Sequence, residues 1–521
     1  MKISSIALFI TCLVFSFWLM SKTLSSSQGV INVSGKYWSD FGAQLPLIRY
    51  FSLGNNIPTE HPLFPTEKIR YHFLFYQLVG AWEKSGLPIS YSLNIPSSIG
   101  LFSMWILVWV LSFKLFRSYY ISFLSVLFNI FNSSFSWIDY LKQKNFSIVD
   151  SASGLLNLNS FPSFAPWNDS IISAFWNLNI YTNQRHLAFS FSLVLLVIIF
   201  CVRKSTKALY FSGVIFSILL LTNQPSALIL GVFLISFFIF IPQIRKALII
   251  SSLGLIPGLV LYMYIFPSPS PLNLHFGFLQ NQPITLSSFF IYWLNNLGFH
   301  IVLIPIGLII SLKKSFKMMI PIILLFIVPN LVQFSPDIIN NHKFFNFFLV
   351  VGSMFSAYII KKIKLFGIVL IPLLILGGLI DIFPIINDQK YELVDYKINP
   401  DSRYIQNNIP KESNILNSTW FYHPASLTGR KIYNGYSYFT WSYGYNQVER
   451  ESSTKSIYAS TNKQSACSQL RSAHIDYVEI SDNPESFLDI NRQLWDNEFV
   501  YEYINPSTNL KLINVKANCN L

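Results

Sequence analysis

The stretch Leu365–Phe383 reads LFGIVLIPLLILGGLIDIF and follows the basic run Lys361-Lys362-Ile363-Lys364. It carries one carboxylate and is long enough to cross the hydrocarbon core as an α-helix, which takes about 20 residues. A segment in lipid must satisfy its own backbone N–H and C=O groups, so a helix is predicted despite the β-branched residues. The stretch therefore predicts a membrane-spanning helix whose basic end lies in the cytoplasm.

Similar apolar blocks recur along the whole chain. Of its 521 residues 52% are hydrophobic and only 12% charged, about half the charged fraction of a soluble domain. We predict a polytopic α-helical membrane protein with about eleven transmembrane helices. The other predicted spans are Ile3–Met20, Ile95–Phe113, Tyr119–Trp137, Leu187–Val202, Ala208–Thr222, Ser226–Ile241, Ala247–Phe266, Phe289–Leu312, Met318–Phe334 and Phe344–Ile360.

The basic residues indicate the orientation of these spans. Every second connection is basic, as in Arg203-Lys204 and Arg245-Lys246, whereas the intervening short connections, such as Asn223–Pro225, carry no Lys or Arg. By the positive-inside rule the N-terminus is cytoplasmic and the tail lies outside the cell membrane. This distribution also argues against a nucleic-acid binder, despite the net charge of +13, because such a protein gathers its basic residues on one soluble face.

The predicted domains follow from this orientation. Residues 1–384 form a transmembrane domain with long outside loops at 23–94 and 138–186, and residues 385–521 form a small extracytoplasmic α/β domain. In that domain Tyr477–Ile480 is a predicted strand. Phe499–Ile504 and Leu510–Val515 form a predicted hairpin around the turn residues between them.

The chain contains four cysteines. Cys12 and Cys201 lie in apolar blocks, and no zinc-type spacing is present. Cys467 and Cys519 both lie in the C-terminal domain, where export would let a disulfide persist. The sequence leaves open whether they form a bridge or stay as two buried thiols.

Polar and ionisable residues gather on the predicted outside face, where such residues at a membrane edge indicate function. The first loop contains Tyr37–Phe41 and Glu67–His72, the second ends in Asn183–His186, and a later edge holds Asn340–Lys343. The short cytoplasmic loops contain no glycine-rich phosphate loop, which argues against a cytosolic NTPase.

These features together resemble the GT-C-type glycosyltransferases, a superfamily that includes arabinosyl-, mannosyl- and oligosaccharyl-transferase-like membrane proteins. The shared features are an acidic residue soon after the first span, many spans and an exported C-terminal domain. Several short strings also resemble an uncharacterised prokaryotic branch of the superfamily. They are Leu47–Asn56, Arg70–Leu74, Asn183–Leu187, Asn341–Phe344, Trp441–Tyr445 and Arg450-Glu451.

The resemblance implies transfer of a sugar from a polyprenyl-phosphate-linked donor to an extracytoplasmic glycan, lipid or protein acceptor. Asp40 would act as the base, since a hydroxyl nucleophile needs a carboxylate within hydrogen-bond reach. The donor phosphate needs positive charge or hydrogen-bond donors, and the sugar needs polar and aromatic partners. Candidates are Arg70, Arg185, His186, His342 and Lys343 for the phosphate, and His72, Trp441 and Tyr443 for the substrate.

The sequence departs from the family in one respect. The family often places two acidic residues together, whereas Asp40 stands alone in Trp38-Ser39-Asp40-Phe41. The sequence therefore does not establish a cofactor. It leaves open whether Asp40 binds a divalent metal (Mg²⁺ or Mn²⁺), with Glu60, Glu67 or Asp169 as the second ligand.

Two readings from other classes also stay open. A lipid or glycan transporter would place broken helices and charges near the bilayer midplane, often in repeated halves, and no repeat is evident. A non-enzymatic cell-envelope assembly protein would function through its exported domain alone.

Overall fold

The computed structural model describes residues 3–164, 171–267 and 272–519, so Asp169 lies outside the described residues. The chain divides into two compact units. The first comprises Met1–Thr23, Leu93–Tyr262 and Ser270–Lys390, and the second comprises Leu24–Ser92, Met263–Pro269 and Tyr391–Leu521. The predicted domain boundary near residue 385 stays a prediction. The second unit groups most of the predicted first outside loop with the C-terminal residues.

The first unit is built almost wholly from apolar helices. Two helices, Ile89–Phe116 and Ile256–Ile265, belong to it only in part. The full set is Ile3–Thr23, Ile89–Phe116, Tyr119–Ile130, Ser136–Gln143, Ile148–Leu155, Leu178–Asn183, Arg185–Arg203, Thr206–Leu209, Ser212–Thr222, Gln224–Phe240, Arg245–Ser251, Ile256–Ile265, Leu286–Leu297, His300–Ile310, Leu312–Ile327, His342–Lys362, Leu365–Ile380 and Phe383–Ile386. One short antiparallel pair, Asn273–Leu274 with Val332–Gln333, accompanies them.

Among the described residues six helical segments are long and apolar enough to cross a membrane, and a bent pair would make seven. The multi-pass helical class is thus present, whereas the predicted count of about eleven is not confirmed. The bent pair, Leu286–Leu297 and His300–Ile310, turns by 92°. Gly298 lies at the break with φ +54°, and a Cβ there would come within 2.6 Å of the Ser133 carbonyl oxygen, so a larger residue does not fit.

The centre of the first unit is the helix His342–Lys362, whose residues up to Ile360 are buried. A close helix crossing contributes to this burial, because a Cβ on Gly307 would lie 2.6 Å from the Phe355 carbonyl oxygen. The Asn129 amide donates to the Val350 carbonyl at 3.2 Å. The N-terminal end of this helix is therefore fixed in position by packing along its whole length.

The second unit is mixed α/β. Its helices are Trp38–Ser52, Leu74–Lys84, Pro400–Asn408, Pro424–Leu427, Ser437–Ser442, Gln447–Tyr458, Lys463–Ser472, Arg492–Glu498 and Val515–Asn518. Its largest sheet runs Tyr501–Asn505, Leu510–Asn514, Tyr477–Ile480, Asn414–Leu416 and Lys431–Ile432 in spatial order. Smaller sheets contain Leu24–Ser27, Val30–Ser34 and Lys390–Val394, and Glu60–His61 with Phe64–Lys68.

The predicted strand Tyr477–Ile480 and the predicted C-terminal hairpin are confirmed. The strands Tyr501–Asn505 and Leu510–Asn514 pair antiparallel, with Asn505 opposite Leu510. The predicted first outside loop contains an α-helix, Leu74–Lys84. It packs closely on the helix Trp38–Ser52, since a Cβ on Gly80 would lie 2.9 Å from the Ile48 carbonyl oxygen.

Two covalent or ionic ties hold the second unit together. Cys467 and Cys519 form a disulfide across 52 residues of chain. The fully buried Arg49 guanidinium lies 3.2 Å from the Glu83 carboxylate and 2.9 Å from that of Asp395. The two cysteines of the first unit, Cys12 and Cys201, are buried free thiols.

Candidate functional site

Asp40 lies in the first turn of the helix Trp38–Ser52 in the second unit. The start of that helix is held by the segment Phe421-Tyr422. The Tyr422 hydroxyl donates to the Trp38 carbonyl at 2.5 Å, and the two rings lie 4.2 Å apart. A Cβ on Gly42 would come within 2.5 Å of the Phe421 ring. The carboxylate is therefore presented from a fixed helix start.

Four tyrosines surround the position of Asp40. Burial raises the pKa of Tyr71, Tyr76, Tyr422 and Tyr443, and the negative charge of Asp40 raises each of them further. All four phenols therefore keep their protons at neutral pH. They can act as hydrogen-bond donors beside a group that can accept a proton.

Three of these tyrosines are linked through Tyr71, whose ring contacts those of Tyr76 and Tyr443. Tyr71 lies 4.4 Å from Tyr443 and 3.9 Å from His72, measured between ring centres. The Tyr76 hydroxyl is hydrogen bonded to that of Tyr71. His61 lies 5.3 Å from Tyr443, and burial lowers the pKa of His61 to about 3, so its ring is neutral. We refer to Asp40, Tyr71, His72, Tyr76 and Tyr443 as the Asp40 cluster.

Two other predicted residues of this unit lie outside the Asp40 cluster. The Arg70 guanidinium lies 3.4 Å from the Glu67 carboxylate and 5.4 Å from the Tyr445 ring centre. The Trp441 side chain is 47% exposed, and its ring is 6.1 Å from that of Tyr438. The structure thus joins His72 and Tyr443 to Asp40 and places Arg70 beside Tyr445.

Two of the acidic residues named as possible metal ligands have other partners. Within the described ranges no three His, Cys, Asp or Glu side chains are arranged to hold a metal ion. Glu60 accepts from Lys431 at 2.8 Å and Glu67 pairs with Arg70, so each is engaged with a cation. A divalent metal at Asp40 stays a prediction.

The remaining predicted residues lie in the first unit, at the start of two helices. His186 belongs to Arg185–Arg203, and His342 and Lys343 begin His342–Lys362. The Gln184 amide nitrogen lies 3.1 Å from His342 Nε2. Lys343 Nζ donates to Asn340 at 2.8 Å and interacts electrostatically with both histidines. We refer to Gln184, His186, His342 and Lys343 as the Lys343 cluster.

Arg185 has a different environment from its neighbour His186. Its fully buried guanidinium donates to the Thr23 hydroxyl at 2.7 Å, to the Met20 carbonyl at 3.2 Å and to the Asn94 amide oxygen at 3.3 Å. These bonds tie the start of Arg185–Arg203 to the end of the first helix. The Met20 Sδ also accepts from this guanidinium at 2.6 Å. Since four neighbouring groups already accept from the guanidinium, Arg185 supports the helix start geometrically.

An apolar cavity of about 650 Å³ lies in the same unit, and Asn330 is its one polar lining residue among those described. The Asn330 amide is itself used, because it accepts from the Trp293 indole at 3.2 Å and donates to Phe326 at 2.8 Å. Phe348, on the same helix as Lys343, lines this cavity. Five residues of helix separate them by about 7–8 Å along its axis.

Several residues of these clusters escaped prediction. Tyr76 of the Asp40 cluster, Tyr422 beside it and Gln184 of the Lys343 cluster are not among the predicted site residues. Tyr422 is about 380 residues from Asp40 in the chain, so local spacing carries no signal for it. Tyr76 follows Tyr71 by five residues, and Tyr71 precedes the helix Leu74–Lys84, so helical spacing gives no signal for their contact.

No known protein family and no curated protein matches the sequence. The chain is similar to archaeal oligosaccharyltransferase. The crystal structure of the Archaeoglobus fulgidus enzyme tethered to an acceptor peptide is 11% identical, matches 97% of this chain and 74% of that one, and has a TM-score of 0.47. The same organism's AglB with an inhibitory peptide and dolichol-phosphate is 12% identical over 98% and 75%, with a TM-score of 0.41. Likeness of this degree gives no residue of this chain a role.

Proposed function

We propose that this protein is a multi-pass membrane glycosyltransferase of the GT-C type. It transfers a sugar from a polyprenyl-phosphate-linked donor to an extracytoplasmic acceptor. The observation that carries the proposal is the Lys343 cluster together with an apolar cavity on the same helix. A lipid phosphate needs both a cationic, hydrogen-bonding site for its head and an apolar surface for its chain.

On this proposal the Lys343 cluster binds the donor phosphate. Lys343 supplies the positive charge, and the histidines and Gln184 supply hydrogen bonds. Negative charge develops on the phosphate as the glycosidic bond to it breaks, so a fixed ammonium stabilises the transition state. Arg185 has a positioning role, because its hydrogen bonds hold the helix start that carries His186.

Asp40 is the proposed general base. It accepts the proton of the acceptor nucleophile as the new bond to the anomeric carbon forms and the bond to phosphate breaks. The phenols of Tyr71 and Tyr443 stay protonated because burial and Asp40 raise their pKa. On this proposal their O–H groups donate to the acceptor and hold it against the carboxylate.

The test compares Asp40→Asn with Asp150→Asn. Both aspartates lie in the first turn of a helix, and Asp150 is exposed and outside both clusters. Membranes expressing each variant receive a polyprenyl-phosphate donor labelled in the sugar, and transfer of label to envelope acceptors is measured. Loss of a general base lowers the rate by about 10²–10⁴, so Asp40→Asn should fall that far and Asp150→Asn should match the wild type. Full transfer by Asp40→Asn at normal expression would overturn the assignment.

A further inference from the structure

The second unit contains a polar groove that the Asp40 cluster does not line. Its volume is about 350 Å³, and its polar lining includes Glu67, Asn446, Glu449, Ser453, Ser468 and Ser472. We refer to it as the Glu449 groove. Carboxylates, amides and hydroxyls at one cavity can both donate and accept hydrogen bonds, which suits a ligand rich in hydroxyl groups.

The wall of this groove is rigidly built. The Arg450 guanidinium lies 3.9 Å from the Phe64 ring centre and 4.2 Å from that of Tyr433. It donates to the Tyr433 carbonyl at 3.0 Å and to the Pro65 carbonyl at 3.1 Å. A preformed wall of this kind lowers the entropic cost of binding a ligand.

Two helices carry the remaining lining residues, and each is anchored. Asn446 caps the helix Gln447–Tyr458 by accepting from the Glu449 backbone N–H. The helix Lys463–Ser472 is fixed by the disulfide at Cys467, which adjoins Ser468. The groove is therefore framed by elements that are tied to the rest of the second unit.

The charges of the lining residues determine which class of saccharide the groove can bind. Of the two lining carboxylates, Glu67 is paired with Arg70 at 3.4 Å and Glu449 accepts from the Asn446 amide at 2.7 Å. Arg450, the one cation among the described lining residues, is 7% exposed and committed to main-chain carbonyls. Among the described lining residues an anionic ligand would therefore find no uncommitted cation, which disfavours phosphates and uronates. We propose that the Glu449 groove binds a short neutral oligosaccharide.

The groove adjoins aromatic residues that lead toward the Asp40 cluster. Phe64 stacks on Tyr445 with ring centres 4.4 Å apart, and Tyr445 is 6.5 Å from His61. A saccharide in the groove would thus extend glycan contacts beyond the proposed catalytic group. This binding goes beyond the proposed function and does not depend on Asp40 acting as a base.

The test measures binding by saturation-transfer NMR on the full-length protein in nanodiscs free of glycoside detergent. The neutral probes are maltose, cellobiose and diacetylchitobiose, and the anionic probe is digalacturonate. The wild type should bind at least one neutral probe and should bind digalacturonate more weakly. Absence of binding to all three neutral probes, or preference for digalacturonate, would overturn the proposal.

Variants test whether the saccharide binds in the Glu449 groove. Ser472→Trp fills the groove, and Ser452→Trp adds the same bulk at an exposed serine outside it. Ser472→Trp should weaken binding at least about tenfold, as loss of one or two good hydrogen bonds would, while Ser452→Trp should not. Glu449→Lys should improve digalacturonate binding, and Asp40→Asn should bind neutral probes as the wild type does. Unchanged binding in both Ser472→Trp and Glu449→Lys would refute the location.

Discussion

Replacing Glu479 with glutamine should change how the stability of the protein depends on pH. Glu479 is 1% exposed and accepts hydrogen bonds from the Ser418 backbone N–H and hydroxyl, both at 2.6 Å. Burial raises the pKa of Glu479 from 4.5 to about 7. The nearby His423, 3.9 Å away, offers no countercharge at neutral pH, because burial lowers the pKa of His423 to about 4.

The sign and size of the effect follow from these values. Between pH 4.5 and about 7 the unfolded chain releases the Glu479 proton while the folded protein keeps it, so stability falls as pH rises through this window. Above pH 7 the accumulated loss is about 3 kcal/mol. Glutamine keeps an acceptor for Ser418 and does not ionise. An unfolding entropy of about 2.1 cal/mol/K per residue gives about 1 kcal/mol per degree for 521 residues. The Tm of Glu479→Gln should therefore equal that of the wild type near pH 4.5 and exceed it by about 3 °C at pH 8.

The assay is thermal unfolding of the purified full-length protein at several pH values. Glu498→Gln serves as the control, because Glu498 is exposed in the same unit. The difference between Glu498→Gln and the wild type should not vary with pH. A difference for Glu479→Gln that is constant across pH, or a lower Tm at pH 8, would refute the reasoning.

Three further predictions follow from single contacts. Arg49→Met should destabilise the protein by about 3–5 kcal/mol, because it leaves two carboxylates without their buried cation; a Tm equal to that of the wild type would contradict this. Replacing Cys467 and Cys519 together by serine should cost about 2–4 kcal/mol, measured by denaturant unfolding under non-reducing conditions, and no loss would argue against the bridge. Lys343→Ala should raise the KM for the lipid-linked donor about ten- to hundredfold, with Lys343→Arg intermediate, and an unchanged KM would remove Lys343 from the phosphate site.

The sequence predicted those features that depend on local composition. The apolar blocks are helical because lipid leaves no other way to satisfy the backbone, and Tyr477–Ile480 is a strand with the predicted bounds. Local composition did not predict the break at Gly298, which depends on the close approach of Ser133 from a distant part of the chain. The number of membrane crossings is hard to predict because contacts between distant segments decide where an apolar helix breaks.

The candidate site was predictable only as a set of residue types. Asp40, His72 and Tyr443 were singled out, but the partners that define their surroundings come from distant segments. Arg185 was assigned to phosphate binding from its position before a span. Its hydrogen bonds to Met20 and Thr23, far away in sequence, could not be foreseen from that position.

The central claim is that this protein transfers a sugar from a lipid carrier. The most direct measurement follows a polyprenyl-phosphate sugar, labelled in both sugar and lipid, in liposomes that contain the purified protein and an envelope acceptor fraction. We predict that labelled acceptor and free polyprenyl-phosphate appear in equal amounts with the wild type and not with Asp40→Asn. Movement of the intact lipid-linked sugar across the bilayer, with both labels still joined and no labelled acceptor, would contradict the account and indicate a transporter.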